Sequence, residues 1–64
     1  MAWAFSMAVR GYSRREVDEL LARVTAGEAT ASDVRDARFD KQMRGYAPRE
    51  VDAALAEILQ DLDG

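Results

Sequence analysis

Phe5-Ser-Met-Ala-Val9-Arg10-Gly11-Tyr12-Ser-Arg-Arg15-Glu16-Val17-Asp18-Glu-Leu-Leu21-Ala22 realigns without a gap on Phe39-Asp-Lys-Gln-Met43-Arg44-Gly45-Tyr46-Ala-Pro-Arg49-Glu50-Val51-Asp52-Ala-Ala-Leu55-Ala56. The shared frame is F-x4-RGY-x2-REVD-x2-LA. A unit written twice is one supersecondary element used twice, so fold and binding sites are expected in two copies. Residues 1–27 form the first half-unit, an RGY loop plus a helix. Residues 28–64 form the second, a short helix, an RGY loop and a longer helix.

Apolar residues repeat at helical spacing in both copies. Val17, Leu20, Leu21 and Val24 fall at i, i+3, i+4 and i+7, and Val51, Leu55, Ile58, Leu59 and Leu62 carry the stripe further. These patterns predict amphipathic helices over Arg14–Ala26 and Pro48–Leu62. Gly27 suits the position just past the first helix. Thr30, with Asp33 three residues on, opens a short helix running to about Ala37 through a capping-box variant. Met1–Ser6 extends the chain or adds a helical turn. No strand is indicated. The expected fold is all-α: a small tandem helical repeat of loop-helix, short helix and loop-helix, packed as an internal pseudo-dimer or a coiled-coil-like dimer.

Helix entry accounts for much of the repeat. With Ser13 as N-cap, Glu16 completes a capping box and Tyr12 staples onto Val17. In the second copy Pro48 sits at the first helical position, where its missing N–H costs nothing. Gly11 stands where a sharp turn makes a positive φ useful. Phe5 and Phe39 read as core anchors. Arg10/Arg44 and Asp18/Asp52 also recur, and helix entry does not explain them. The arginines are solvated loop charges or ligand contacts. The aspartates are local partners of Arg15 and Arg49 or functional groups. Val9 and Met43, beside the arginines, are core residues or the apolar part of a tip that dips into an interface.

Composition narrows the function. The chain has 64 residues, no Cys and no His. That leaves no disulfide, no usual zinc ligand set and no Ser-His or Cys-His pair. No enzyme activity and no cofactor are expected. No apolar run approaches the roughly 20 residues of a membrane span, and the N-terminus lacks a signal peptide's basic region. A soluble, cytoplasmic chain is expected. Its net charge of −3 argues against nucleic acid as a partner. Basic residues nevertheless gather at the two turns, Arg10, Arg14 and Arg15 at one and Lys41, Arg44 and Arg49 at the other. Such turns can meet an anionic surface locally.

The frame F-x4-RGY-x2-xEVD-x2-L resembles the N-terminal signature of the DivIVA family of bacterial division and polar-growth proteins, which includes GpsB. Thr30–Phe39 is similar to the short helix preceding that family's loop, and the double unit is similar to small actinobacterial members. The resemblance implies crossing loops whose tips touch anionic membrane, here Val9–Arg10 and Met43–Arg44. It also implies a groove for Arg-containing peptides of cell-wall synthases, matched by Tyr12 with Asp18 and Tyr46 with Asp52. The expected function is a non-enzymatic adaptor or scaffold for cell division or polar growth, binding anionic membrane, protein partners or both through its RGY loops. Its partners would be division or cell-wall-synthesis proteins and a second copy. It would sit in the cytoplasm, peripherally on the inner membrane face at pole or septum. The alternative is a pure protein-interaction module that holds basic peptides and has no lipid affinity.

Overall fold

The computed structural model describes residues 3–63. In chain order these form β1 (Met7–Tyr12), α1 (Arg14–Thr25), α2 (Ala31–Arg35), β2 (Lys41–Tyr46) and α3 (Pro48–Asp63). The fold is therefore mixed α/β, and the all-α expectation is wrong. Both RGY segments are strands, and they pair with each other. Met7 stands opposite Tyr46, Ala8 opposite Gly45, Arg10 opposite Met43, Gly11 opposite Gln42 and Tyr12 opposite Lys41. Numbers fall on one strand as they rise on the other, so the ribbon is antiparallel.

The ribbon is not flat. Tyr12 also pairs with Tyr46, out of that register. Gly11 lies opposite Gln42, so in a flat ribbon Gly45 would be about 10 Å away, three residues along the strand. Instead a Cβ on Gly11 would stand 2.6 Å from the Gly45 carbonyl carbon, and one on Gly45 would stand 2.5 Å from that of Gly11. The two strands curl until their glycines touch. Neither glycine has a positive φ; among the described residues only Gly27 and Arg44 do. Gly11 is thus needed for close approach, not for the turn conformation expected of it. Arg44, at φ 57°, carries the left-handed kink instead.

The helices begin where the caps place them. The Ser13 side chain accepts from the Glu16 N–H at 3.4 Å. The Val51 N–H returns to the Ala47 carbonyl, so α3 starts on Pro48. Past α1, the Gly27 N–H bonds the Val24 carbonyl and the Glu28 N–H bonds the Arg23 carbonyl, with Gly27 at φ 74°. This is a Schellman ending. Thr30 and Asp33 exchange both capping-box bonds, and α2 spans Ala31–Arg35, shorter at its C-terminal end than predicted. Trp3–Ser6 forms no helical turn. Met1 and Ala2, the rest of that expected turn, lie outside the described residues.

Val17 and Val51, equivalent positions in the two copies, are both fully buried. Around them pack Leu21, Ala29, Val34 and Ile58, with Phe5, Phe39, Leu55 and Leu59 half-buried at the margin. The apolar stripes of α1 and α3 thus face one shared core, closed at one end by the ribbon.

Candidate functional site: ribbon tip and tyrosine grooves

The polar bonds between the copies come in exchanged pairs. The Ser13 N–H donates to the Asp40 carbonyl at 2.7 Å, and the Ala47 N–H donates to the Ser6 carbonyl at 2.8 Å. The Glu16 carboxylate accepts from the Asp40 N–H at 2.9 Å, and the Glu50 carboxylate accepts from the Ser6 N–H at 3.0 Å. Glu16 was expected to reach back to its own N-cap. Both glutamates instead grip the segment that enters the other copy's strand. A capping box would satisfy the Ser13 N–H with Glu16, but here the Asp40 carbonyl satisfies it. Recurrence marked Glu16 and Glu50 in the sequence; nothing local revealed the partner.

The tyrosines and aspartates are exchanged in the same way. The Tyr12 hydroxyl donates to Asp52 Oδ1 at 3.1 Å, and the Tyr46 hydroxyl donates to Asp18 Oδ1 at 2.8 Å. The resemblance grouped Tyr12 with Asp18 and Tyr46 with Asp52 as groove residues; the hydrogen bonds join each tyrosine to the aspartate of the other copy. Phe39 packs on the Tyr12 ring, 5.3 Å between centroids, and Phe5 on the Tyr46 ring, 5.2 Å. The Lys41 ammonium sits 4.8 Å above the Tyr12 ring centre. Both phenols titrate above the ordinary tyrosine range. For Tyr12 the first cause is burial, then the bond to Asp52. For Tyr46 the bond to Asp18 comes first, then burial.

Each tyrosine–aspartate pair borders a groove. A 450 Å³ hollow beside Tyr12 and Asp52 is lined by Val34 and Arg35 of α2 and by Arg38 beyond it. A 490 Å³ hollow beside Tyr46 and Asp18 is lined by Arg14, Arg15, Glu19 and Ala22. Cations already flank both aspartates. Among the described residues no group of three or more metal-ligating side chains comes together.

The remaining predicted site residues form the ribbon tip. Val9 is 78 % exposed and Met43 75 %, so neither belongs to the core. Arg10 lies opposite Met43, and the register is irregular between Ala8 and Arg10, where Val9 stands. Both arginines are exposed. Two exposed apolar side chains and two exposed arginines thus gather on this part of the ribbon.

Comparison with protein-family models, with curated proteins and with solved structures finds no match for this chain.

Proposed function

We propose that the chain is a non-enzymatic, DivIVA-like adaptor that attaches peripherally to anionic membrane through the ribbon tip and serves bacterial division or polar growth. The observation that supports this reading is the exposure of Val9 and Met43, each next to an exposed arginine in the chain, with Met43 also paired across the ribbon with Arg10. Solvent-facing aliphatic side chains beside guanidinium groups suit the headgroup boundary, where the apolar part enters and the charge stays with phosphate. Basic residues near an anionic surface contribute about 1 kcal/mol each, so the arginines of the two copies add their contributions. Among the described residues no helix is long and apolar enough to cross a membrane. The attachment we propose is therefore to the membrane surface, on its cytoplasmic side. Division or cell-wall-synthesis proteins and a second copy of the chain are the partners we infer.

Co-sedimentation with vesicles of anionic or neutral lipid tests this. Binding to anionic vesicles that weakens with salt and disappears in an Arg10→Ala, Arg44→Ala variant is expected. Equal sedimentation of that variant, or none by the parent chain, rules the tip out.

The grooves favour a second reading, a module that holds basic peptides on Asp18 and Asp52 without lipid. Asp18→Ala with Asp52→Ala would then abolish peptide capture and leave vesicle binding unchanged.

A further inference from the structure

The exchange of contacts between the copies is incomplete in one place. One side of the α1–α3 pair is covered by α2; among the described residues the other side carries only Trp3, Ala4 and Phe5. With the copies offset by 34 residues, as Phe5 is from Phe39, these three correspond to Ala37, Arg38 and Phe39. The clefts beneath are equivalent too. Glu16, Leu20 and Arg23 line the cleft beside α2, and Glu50, Ala54 and Glu57 line the one on the open side. On the covered side Val34, 2 % exposed, and Ala29, 9 %, fill the seat. On the open side hollows of 240 and 260 Å³ flank Trp3, and the first of them reaches Ile58 and Leu62. Leu62 remains 43 % exposed.

One pair of equivalent positions differs in charge, and it specifies the occupant. Beside α2, Arg23 holds Asp33 at 3.1 Å. The counterpart of Arg23 is Glu57, which is exposed, with Asp61 one turn further on. A helix seated here in the manner of α2 needs an aliphatic residue where α2 has Val34. It needs a lysine or arginine where α2 has Asp33. The α2 segment of a second copy fails this requirement, because its Asp33 would face Glu57.

We propose that this open face is a docking seat for a short amphipathic helix of a partner protein, anchored by an aliphatic side chain beside Trp3 and by a basic side chain on Glu57 and Asp61. Val34 and Arg35 of α2 line the Tyr12–Asp52 groove, so a helix seated in the same manner borders the Tyr46–Asp18 groove; the charge reversal at Glu57, which neither the grooves nor the tip predicts, keeps the failure of this seat distinct from theirs.

Trp3 is the only tryptophan in the chain, which gives a local reporter. The chain is titrated with synthetic peptides of sequence Ala29–Phe39, one unchanged and one carrying D33K, while Trp3 emission is followed. The D33K peptide is expected to shift the emission and to bind roughly fivefold or more tightly than the unchanged peptide, the effect of exchanging a repulsive for an attractive surface pair. In a Glu57→Lys chain the order reverses. Adding V34S to the D33K peptide abolishes the shift, because the anchor is gone. Equal binding of the two peptides, binding of neither, an unchanged preference in Glu57→Lys, or full binding of the V34S peptide overturns the proposal. Circular dichroism of Glu57→Lys verifies its fold; should the lysine disturb the helix, Glu57→Gln, which only neutralises the charge, is expected to narrow the preference for the D33K peptide, and an undiminished preference there overturns the proposal.

Discussion

Gly11 and Gly45 press their backbones together where the two strands curl, each leaving no room for a Cβ on the other. Backbone cannot swing aside as a flexible side chain can. Gly11→Ala or Gly45→Ala is therefore expected to destabilise the chain by about 1–3 kcal/mol or more, the usual range for overpacking. A core of this size supplies only about 3–5 kcal/mol in all, so either variant lies near the unfolding threshold. Thermal melts followed by circular dichroism check this. Gly27→Ala fails for a different reason: nothing lies within 4 Å of its Cβ position, but its φ is 74°.

Tyr12→Phe and Tyr46→Phe each remove a hydrogen bond between the copies and keep the ring packing. A loss of about 0.5–1 kcal/mol per site is expected, in keeping with the net worth of a partly exposed bond. The pH dependence follows from the raised phenol values. The unfolded chain gives up these protons first as pH rises past the ordinary 10.0. The stability the two tyrosines contribute is thus complete below about pH 10 and is lost as pH climbs through their folded values. Parent and double-Phe chains should converge in alkaline urea titrations.

Helices were legible in the sequence because their signals are local. The 3.6-residue stripe of Val17, Leu20, Leu21 and Val24, the Thr30–Asp33 box and Gly27 all act within a turn or two. The strands were not. Met7-Ala-Val-Arg-Gly-Tyr lacks the alternation of a half-buried strand, since half of it is exposed and its one buried residue is a glycine, and an isolated two-stranded ribbon is marginal in water. It exists because Lys41–Tyr46 lies across from it. The site residues show the same division. Recurrence singled out Tyr12, Asp18, Tyr46 and Asp52, but a pattern of repeats does not say whether a bond closes within a copy or between copies.

Asp33 sets an acid-side limit. Its carboxyl is held below the ordinary 3.8, first by the Thr30 backbone N–H and then, against some desolvation, by the Thr30 hydroxyl and Arg23. Its contribution is present above about pH 4 and is lost as pH falls through the lowered value. Asp33→Asn should flatten that acid limb in pH-dependent melts. Thr30→Ala, which deletes the cap itself, should cost about 1 kcal/mol at neutral pH.

Glu50→Ala leaves the Ser6 N–H without its acceptor and loosens the segment that carries Trp3. Trp3 stacks nearly parallel to Phe5, 6.4 Å between ring centres, so its emission should move to longer wavelength. The Ser6 N–H is exposed and finds water once Glu50 is gone, so the loss is about 0.5–1 kcal/mol, the net worth of an ordinary hydrogen bond.

Val9→Ser with Met43→Ser should leave the melting curve unchanged to within about 0.5 kcal/mol, as exposed positions usually do. Any effect of that pair on vesicle binding then belongs to the tip and not to the fold.

The exchanged bonds also bear on how the chain acquires its structure. Tyr12 reaches 40 residues ahead to Asp52, and Ser6 reaches 44 ahead to Glu50, in a chain of 64. Such pairing gives a high contact order, in which a long loop must close before its bonds form. Neither copy is then a folding unit on its own: each supplies the other's clamp, ring partner and glycine contact. A newly made first copy must wait for the second. Two chains cut between the copies would find each other as halves of one cooperative domain.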